Sequence, residues 1–273
     1  MNKITLNTNH LVINALTAIK NKNYIEAKNL LEKAISIQPD MFEANHNLAI
    51  LNFQLGNLDS SILYFEKSKK IKPKFSQVYF NLGLAYDRKK NIDLAIINFK
   101  KVIKLDPSNS IALYNIGHLY KEKLEPIKAE EYLSKSLDLN SNFIKTYDDL
   151  FSLYDQSNQI EKFSNLLDKA KKILSEKDLL SFYEAVFTYN QKNFKQTIQI
   201  LENIDLKENY VAHNITKHSL LAKSYDRINN FEKAYNHFKI NNQLVNESYG
   251  KGVNEKSFIE LVTQRIKFFK NFN

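Results

Sequence analysis

Asparagine recurs at residues 47, 81 and 115, at intervals of 34, and Asp149 stands a further 34 residues on. An asparagine side chain offers one carbonyl acceptor and two amide donors. A row of them at constant spacing can both donate to and accept from an extended peptide backbone, so Asn47, Asn81, Asn115 and Asp149 form a candidate recognition ladder. Catalytic chemistry has no comparable footing. Gly250-Lys251-Gly252 carries glycines without the spacing that curls backbone amides around a phosphate. His213 and His218 are five residues apart and leave a common helical face, so no two-histidine metal motif forms. Adjacent acids such as Glu130-Glu131 and Asp148-Asp149 suit solvated helices. Asn214-Ile215-Thr216 and Asn246-Glu247-Ser248 match the N-glycosylation pattern at the rate chance gives in an asparagine-rich chain. We expect no catalytic centre, no metal, no cofactor and no enzyme activity.

The chain of 273 residues carries 39 basic and 30 acidic side chains, a formal net charge of +9. Only Arg88, Arg227 and Arg265 are arginine, which leaves 36 lysines. Readout of bases and phosphates favours the bidentate arginine fork, so the excess reads as a solvated basic surface and no nucleic-acid partner is expected. Five glycines and four prolines are too few for the many positive-φ turns of a sheet protein, which argues against all-β and α/β folds. The absence of cysteine excludes disulfides, thiolate nucleophiles and cysteine-based zinc or iron–sulfur sites. Asn2, Asn7, Asn9, His10 and Asn14 interrupt the first residues, and no stretch reaches the roughly 20 apolar residues of a membrane span. The sequence predicts a cytoplasmic chain with no membrane partner.

The ladder needs a repeating support, and the prolines mark its period. Pro39, Pro73 and Pro107 lie 34 residues apart and each closes a similar phrase, ISIQP, KIKP or VIKLDP. Proline lacks an amide donor and clashes with the preceding turn, so each ends a helix. Setting position 1 at residues 8, 42, 76, 110, 144 and 178 keeps six repeats in register, and a seventh begins at 215 after three residues inserted near Glu208 to Asn214. Position 8 holds Ala15, Ala49, Gly83, Gly117, Phe151, Ala185 and Ala222. Position 20 holds Ala27, Ser61, Ala95, Ala129, Phe163, Thr197 and Ala234. Small side chains in both columns let paired helices approach closely. Position 24 is always large and apolar: Leu31, Phe65, Phe99, Leu133, Leu167, Leu201 and Phe238. Position 11 supplies Tyr86, Tyr120, Tyr154 and Tyr225, and Pro126 falls at position 17, where the first turn of a helix tolerates it. Repeat five carries Phe151 and Phe163 in both small columns, so its helix pair should be wider, with two regular parts meeting near residues 144 to 177.

These columns resemble the tetratricopeptide repeat (TPR) over residues 8 to 248. The resemblance implies an all-α fold: a right-handed superhelical solenoid of about seven helix–turn–helix repeats, whose first helices line a concave groove that binds a peptide or partner protein. Residues 1–253 would form the array. Residues 254–273 would form a capping or connector helix through Phe258, Leu261, Val262, Ile266 and Phe269. Position 6 faces the groove in this family, and helical geometry puts His46, Ile50, Phe80, Leu84, Tyr114, His118, Lys121 and Asp148 on the same side. Phe80, Leu84 and Tyr114 are either anchors of a recognition surface or packing between adjacent first helices. A lysine–asparagine clamp for a terminal carboxylate is not matched, because position 5 holds Val12, His46, Phe80 and Tyr114.

A second resemblance runs from Leu221-Ala222-Lys223-Ser224-Tyr225-Asp226 through Phe231-Glu232-Lys233-Ala234-Tyr235, His237-Phe238 and Asn241 to Tyr249-Gly250. It is similar to the last repeat and connector of bacterial proteins in which such an array precedes a sulfotransferase domain. That likeness implies a domain in cis using a sulfonucleotide donor, with the present residues recruiting or presenting its substrate.

Overall fold

The computed structural model describes residues 3–207 and 209–249. The expected closing helix over 254–273 lies outside the described residues. Among the described residues the chain is helical, without strands: α1 (Lys3–Lys20), α2 (Tyr24–Ile37), α3 (Phe42–Gln54), α4 (Leu58–Ile71), α5 (Ser76–Arg88), α6 (Ile92–Leu105) and α7 (Ser110–Glu122) are followed by α8 (Pro126–Leu139), α9 (Ile144–Gln156), α10 (Ile160–Ile173), α11 (Lys177–Asn190), α12 (Phe194–Glu202), α13 (Val211–Arg227) and α14 (Phe231–Tyr249). Two compact units divide them, residues 1–153 and 154–273. In the first, α1 to α8 pack as four consecutive hairpins. In the second, α10 leads into the hairpins α11/α12 and α13/α14. The division falls inside the segment 144–177 that the two phenylalanines single out.

The helix boundaries follow the register. α3, α5, α7 and α9 begin at the predicted residues 42, 76, 110 and 144, and Pro126 opens α8. Pro39, Pro73 and Pro107 each stand one residue past the C-caps Gln38, Lys72 and Asp106, whose backbones have left the helical region disfavoured before proline. The insertion is absorbed differently from its placement at 208–214. Helix α12 stops after nine residues, against fourteen in α10, while Ile204 and Leu206 stay buried in the loop that follows. Helix α13 then starts at Val211, ahead of 215.

The columns behave as close-approach points. Ala15, Ala49, Gly83, Gly117, Ala185 and Ala222 at position 8 are all buried, as are Leu31, Phe65, Phe99, Leu133, Leu167 and Leu201 at position 24. A Cβ built on Gly83 would lie 2.7 Å from Cε1 of Phe99, and one on Gly117 would lie 2.7 Å from Cγ of Leu133. Position 8 is therefore pressed against position 24 of its own hairpin. Ser61, polar in the small column, remains buried because its hydroxyl donates to the Ala49 carbonyl at 2.9 Å.

Two further columns emerge from the turns. Position 15 is left-handed in every repeat: Lys22, Gly56, Lys90, Leu124, Asn158, Lys192 and Asn229 have φ between 53° and 80°. Only one of them is glycine. Position 16 then caps the second helix, with Asn23, Asn91 and Asn193 accepting from the backbone amides of Glu26, Leu94 and Gln196. Leu124 is 85% exposed, so its side chain packs on little while its backbone carries the strain of a β-carbon in the left-handed region. Leu124→Gly should stabilise the chain by about 0.5–1 kcal/mol, the backbone relief exceeding glycine's extra unfolded-state entropy. Asn158→Gly should gain less, because asparagine tolerates this conformation. Thermal melts of the two variants check the difference.

Candidate functional site

The first-helix face of residues 1–153 is built by α3, α5, α7 and the opening of α9. Its ladder residues are not free rotors. The amide nitrogen of Asn47 donates to the Glu43 carbonyl at 2.8 Å, and that of Asn115 donates to the Ile111 carbonyl at 2.8 Å. Asn81 accepts from the Gln77 amide at 3.1 Å. One bond to its own helix orients each half-buried side chain and leaves further donor and acceptor capacity for a ligand.

Beside Asn81 the face opens into an apolar dent of about 170 Å³. Ile50 and Phe53 of α3, Phe65 of α4, and Gln77, Asn81 and Leu84 of α5 line it. The Arg88 guanidinium stacks 4.6 Å from the Phe53 ring centroid and donates to the Phe53 carbonyl at 3.0 Å, holding that ring in place. Leu84 and Asn81 thus sit together as the sequence proposes. Phe53 and Gln77 join them unforeseen; their signal would have been one helical turn of spacing on either side of Ile50 and Asn81.

The other candidates sort into two groups. His46 lies in an aromatic cluster, stacked on Phe42 at 5.2 Å and edge-on to Phe65 at 5.6 Å and Phe75 at 5.9 Å. Burial first, then the nearby Lys72 charge, pushes its pKa below 6.5, so it acts as a neutral aromatic ring. Phe80 packs edge-on at 5.5 Å against Phe99 of α6, the second helix of its own hairpin and not an adjacent first helix. Tyr114 contacts His118 of its own helix at 5.8 Å and Phe143, in the turn before α9, at 5.0 Å.

The second group gathers at Asp149. It continues the ladder in spacing, yet it is 6% exposed, and His118 Nδ1 lies 2.7 Å from its Oδ2 while the Lys121 ammonium donates to Oδ1. Burial alone would raise the Asp149 carboxyl, but the His118 hydrogen bond and the Lys121 charge outweigh it and hold the pKa low. The same hydrogen bond raises His118 against the opposing effect of burial. Burial, followed by the Asp149 charge, pushes the Tyr114 phenol up, so it stays protonated. Asp148, on the neighbouring position, is half-buried. Asp149 is therefore committed to an internal cluster that ties α7 to α9, whereas Asn47, Asn81 and Asn115 remain at the surface of their helices.

Among the described residues no group of three or more potential metal ligands converges, and no helix is long and apolar enough to cross a membrane.

Three tetratricopeptide repeat models match the sequence, over residues 18–84, 76–109 and 111–143. Those spans contain the proline phrases, the small columns of repeats two to four and the ladder of α3, α5 and α7. Residues 18–143 carry tetratricopeptide repeats. Solved structures share the all-α superhelical repeat fold. A tetratricopeptide repeat protein from Parabacteroides merdae matches with a TM-score of 0.64 at 15% identity, covering 94% of this chain and 98% of that one. MamA from Desulfovibrio magneticus matches with a TM-score of 0.55 at 18% identity, covering 61% of this chain and 96% of that one. Pseudomonas aeruginosa pilF matches with a TM-score of 0.51 at 16% identity, covering 92% and 96%. At these identities the likeness is one of fold. No protein of curated function matches the sequence. The repeats of residues 18–143 support a role as a protein-interaction scaffold.

Proposed function

We propose that this repeat protein is a non-catalytic, cytoplasmic module whose first-helix groove in repeats two to four binds an extended segment of a protein partner. The observation that carries the proposal is the coincidence of the oriented Asn47, Asn81 and Asn115 side chains with the apolar dent at Ile50, Phe53 and Leu84. The amides address a backbone and the dent accepts one apolar side chain, the combination that gives both affinity and register to a bound strand. Lys121 and His118 lie further along the same helices, but their contacts with Asp149 hold them in the internal cluster.

The test uses peptides selected from a displayed random library against the full chain. Replacing Asn47, Asn81 and Asn115 together by alanine should leave helicity and melting nearly unchanged, since half-buried surface side chains bonded only within their own helices contribute little to stability. Affinity should fall by about 1 kcal/mol for each lost hydrogen-bond pair, roughly a hundredfold in all. Unchanged affinity would remove the ladder from the binding surface. A sulfotransferase domain in cis remains a reading of residues 221–250 alone, and a reading frame encoding a donor-phosphate loop beyond them is the observation that tests it.

A further inference from the structure

The outer face of repeat three departs from the pattern of most other repeats, although repeat two shares one apolar residue there, Leu63. Positions 19 and 22 point outward on the second helix of each hairpin and are polar in most repeats: Glu26 and Asn29, Lys128 and Glu131, Lys162 and Asn165, Gln196 and Gln199, Lys233 and Asn236. In repeat three they are Leu94 and Ile97, which are 36% and 60% exposed. Position 25 is acidic in four repeats, at Glu32, Glu66, Asp168 and Glu202, but in repeat three it is Lys100. Apolar side chains have entered a solvent-facing row, and the charge beside them has reversed.

These departures surround one groove. It lies between α4 and α6 over α5, with a volume of about 440 Å³. Tyr79, Tyr86, Leu94 and Ile97 give it an apolar lining, and Lys100, Lys101 and Lys104 stand along it. Glu66 is the one carboxylate lining the groove, and Lys69 already engages it. Lys100 donates to the Tyr120 hydroxyl at 2.9 Å, and the Lys101 ammonium lies 5.7 Å from the Tyr79 ring centroid. Among the described residues none of Lys100, Lys101 and Lys104 makes an ion pair, although most lysines of the neighbouring hairpins α7/α8 do, as at Lys121, Lys123, Lys128 and Lys135. An apolar groove flanked by uncompensated cations selects a ligand with an apolar group between negative charges.

We propose that this groove docks an acidic protein segment that inserts one apolar side chain against Leu94 and Ile97 while its carboxylates meet Lys100, Lys101 and Lys104. A nucleic-acid strand answers the charge but leaves the apolar lining unpaired. An anionic bilayer is flat and does not enter a groove between two helices. Carboxylates flanking a leucine or phenylalanine satisfy both features. The site is separate from the ladder, which lies on the first helices.

The probe is a short fluorescein-labelled peptide in which aspartates and glutamates flank a central Leu-Phe pair, measured by anisotropy and by amide shifts of the isotopically labelled full chain. Saturable binding that perturbs residues of α4 and α6 is expected. Affinity should drop at least about tenfold in Lys101→Glu/Lys104→Glu, and again by about tenfold in Ile97→Asp, all of them exposed or half-exposed positions where folding is preserved. A peptide with Ser-Ser at its centre should bind at least about tenfold more weakly. The alanine triple variant of the ladder should bind the probe as wild type does, which keeps this outcome distinct from that of the first-helix groove. Absence of binding overturns the proposal, as does equal affinity for the Ser-Ser peptide or for the lysine variant. Tighter binding to single-stranded RNA or to phosphatidylserine vesicles at the same salt concentration overturns it too.

Discussion

Gly117→Ala is expected to lower the stability of the chain by about 2 kcal/mol, although alanine is the better helix former. The gain in helix propensity is about 1 kcal/mol. Against it stands the added Cβ, which would lie 2.7 Å from Leu133 Cγ, 2.9 Å from Cδ2 and 3.0 Å from the Leu133 backbone nitrogen. A rotamer change moves the leucine methyls but not the backbone, so α7 and α8 must separate, and overpacking of this kind costs up to about 3 kcal/mol. Gly83→Ala meets only the Phe99 ring, at 2.7 to 2.9 Å. That ring is held edge-on by Phe80 and fully buried, so a loss is expected there too, smaller than at Gly117. Denaturant melts of both variants rank the two. A neutral or stabilising Gly117→Ala would mean that position 8 does not set the spacing of the hairpin.

Asp149→Ala should cost about 3 kcal/mol, because it leaves the His118 and Lys121 donors facing a buried gap. Its pH signature follows from the two opposed shifts. The raised His118 contributes stability that is fully present below about 6.5 and is lost as pH rises through its higher folded value. The lowered Asp149 contributes stability present above 3.8 and lost as pH falls through its folded value. The difference in melting temperature between wild type and Asp149→Asn should therefore be greatest between those limits and shrink on both sides. In Asp149→Asn the His118 titration, followed by its ring resonances, should move down from its wild-type position. A His118 titration that stays put would place the carboxylate outside the cluster.

The architecture was legible because it repeats. Proline spacing, two small columns and one large column fix the hairpins from position alone, and four first helices begin where that register puts them. What escaped the sequence has identifiable causes. The left-handed turn residue is concealed because six of its seven holders are lysine, leucine or asparagine instead of glycine. Asparagine is so abundant that single positions carry little signal, yet Asn23, Asn91 and Asn193 cap second helices at a fixed position. Within the candidate site, Asp149 has the spacing of a surface ladder, and its burial depends on His118 and Lys121, 31 and 28 residues away. Spacing along one helix cannot show what the adjacent repeat lays over it. The same limit applies to His46, whose place among Phe42, Phe65 and Phe75 draws on two helices and the turn before a third.

The central claim is that the asparagine ladder of the first helices reads a partner's backbone, and the side-chain amide resonances of Asn47, Asn81 and Asn115 report on it directly. During titration with a library-selected peptide, these three amides should shift together and saturate with the dissociation constant measured for the whole chain. If they stay fixed while resonances elsewhere follow the binding curve, the partner sits on another face and the account of the groove is contradicted.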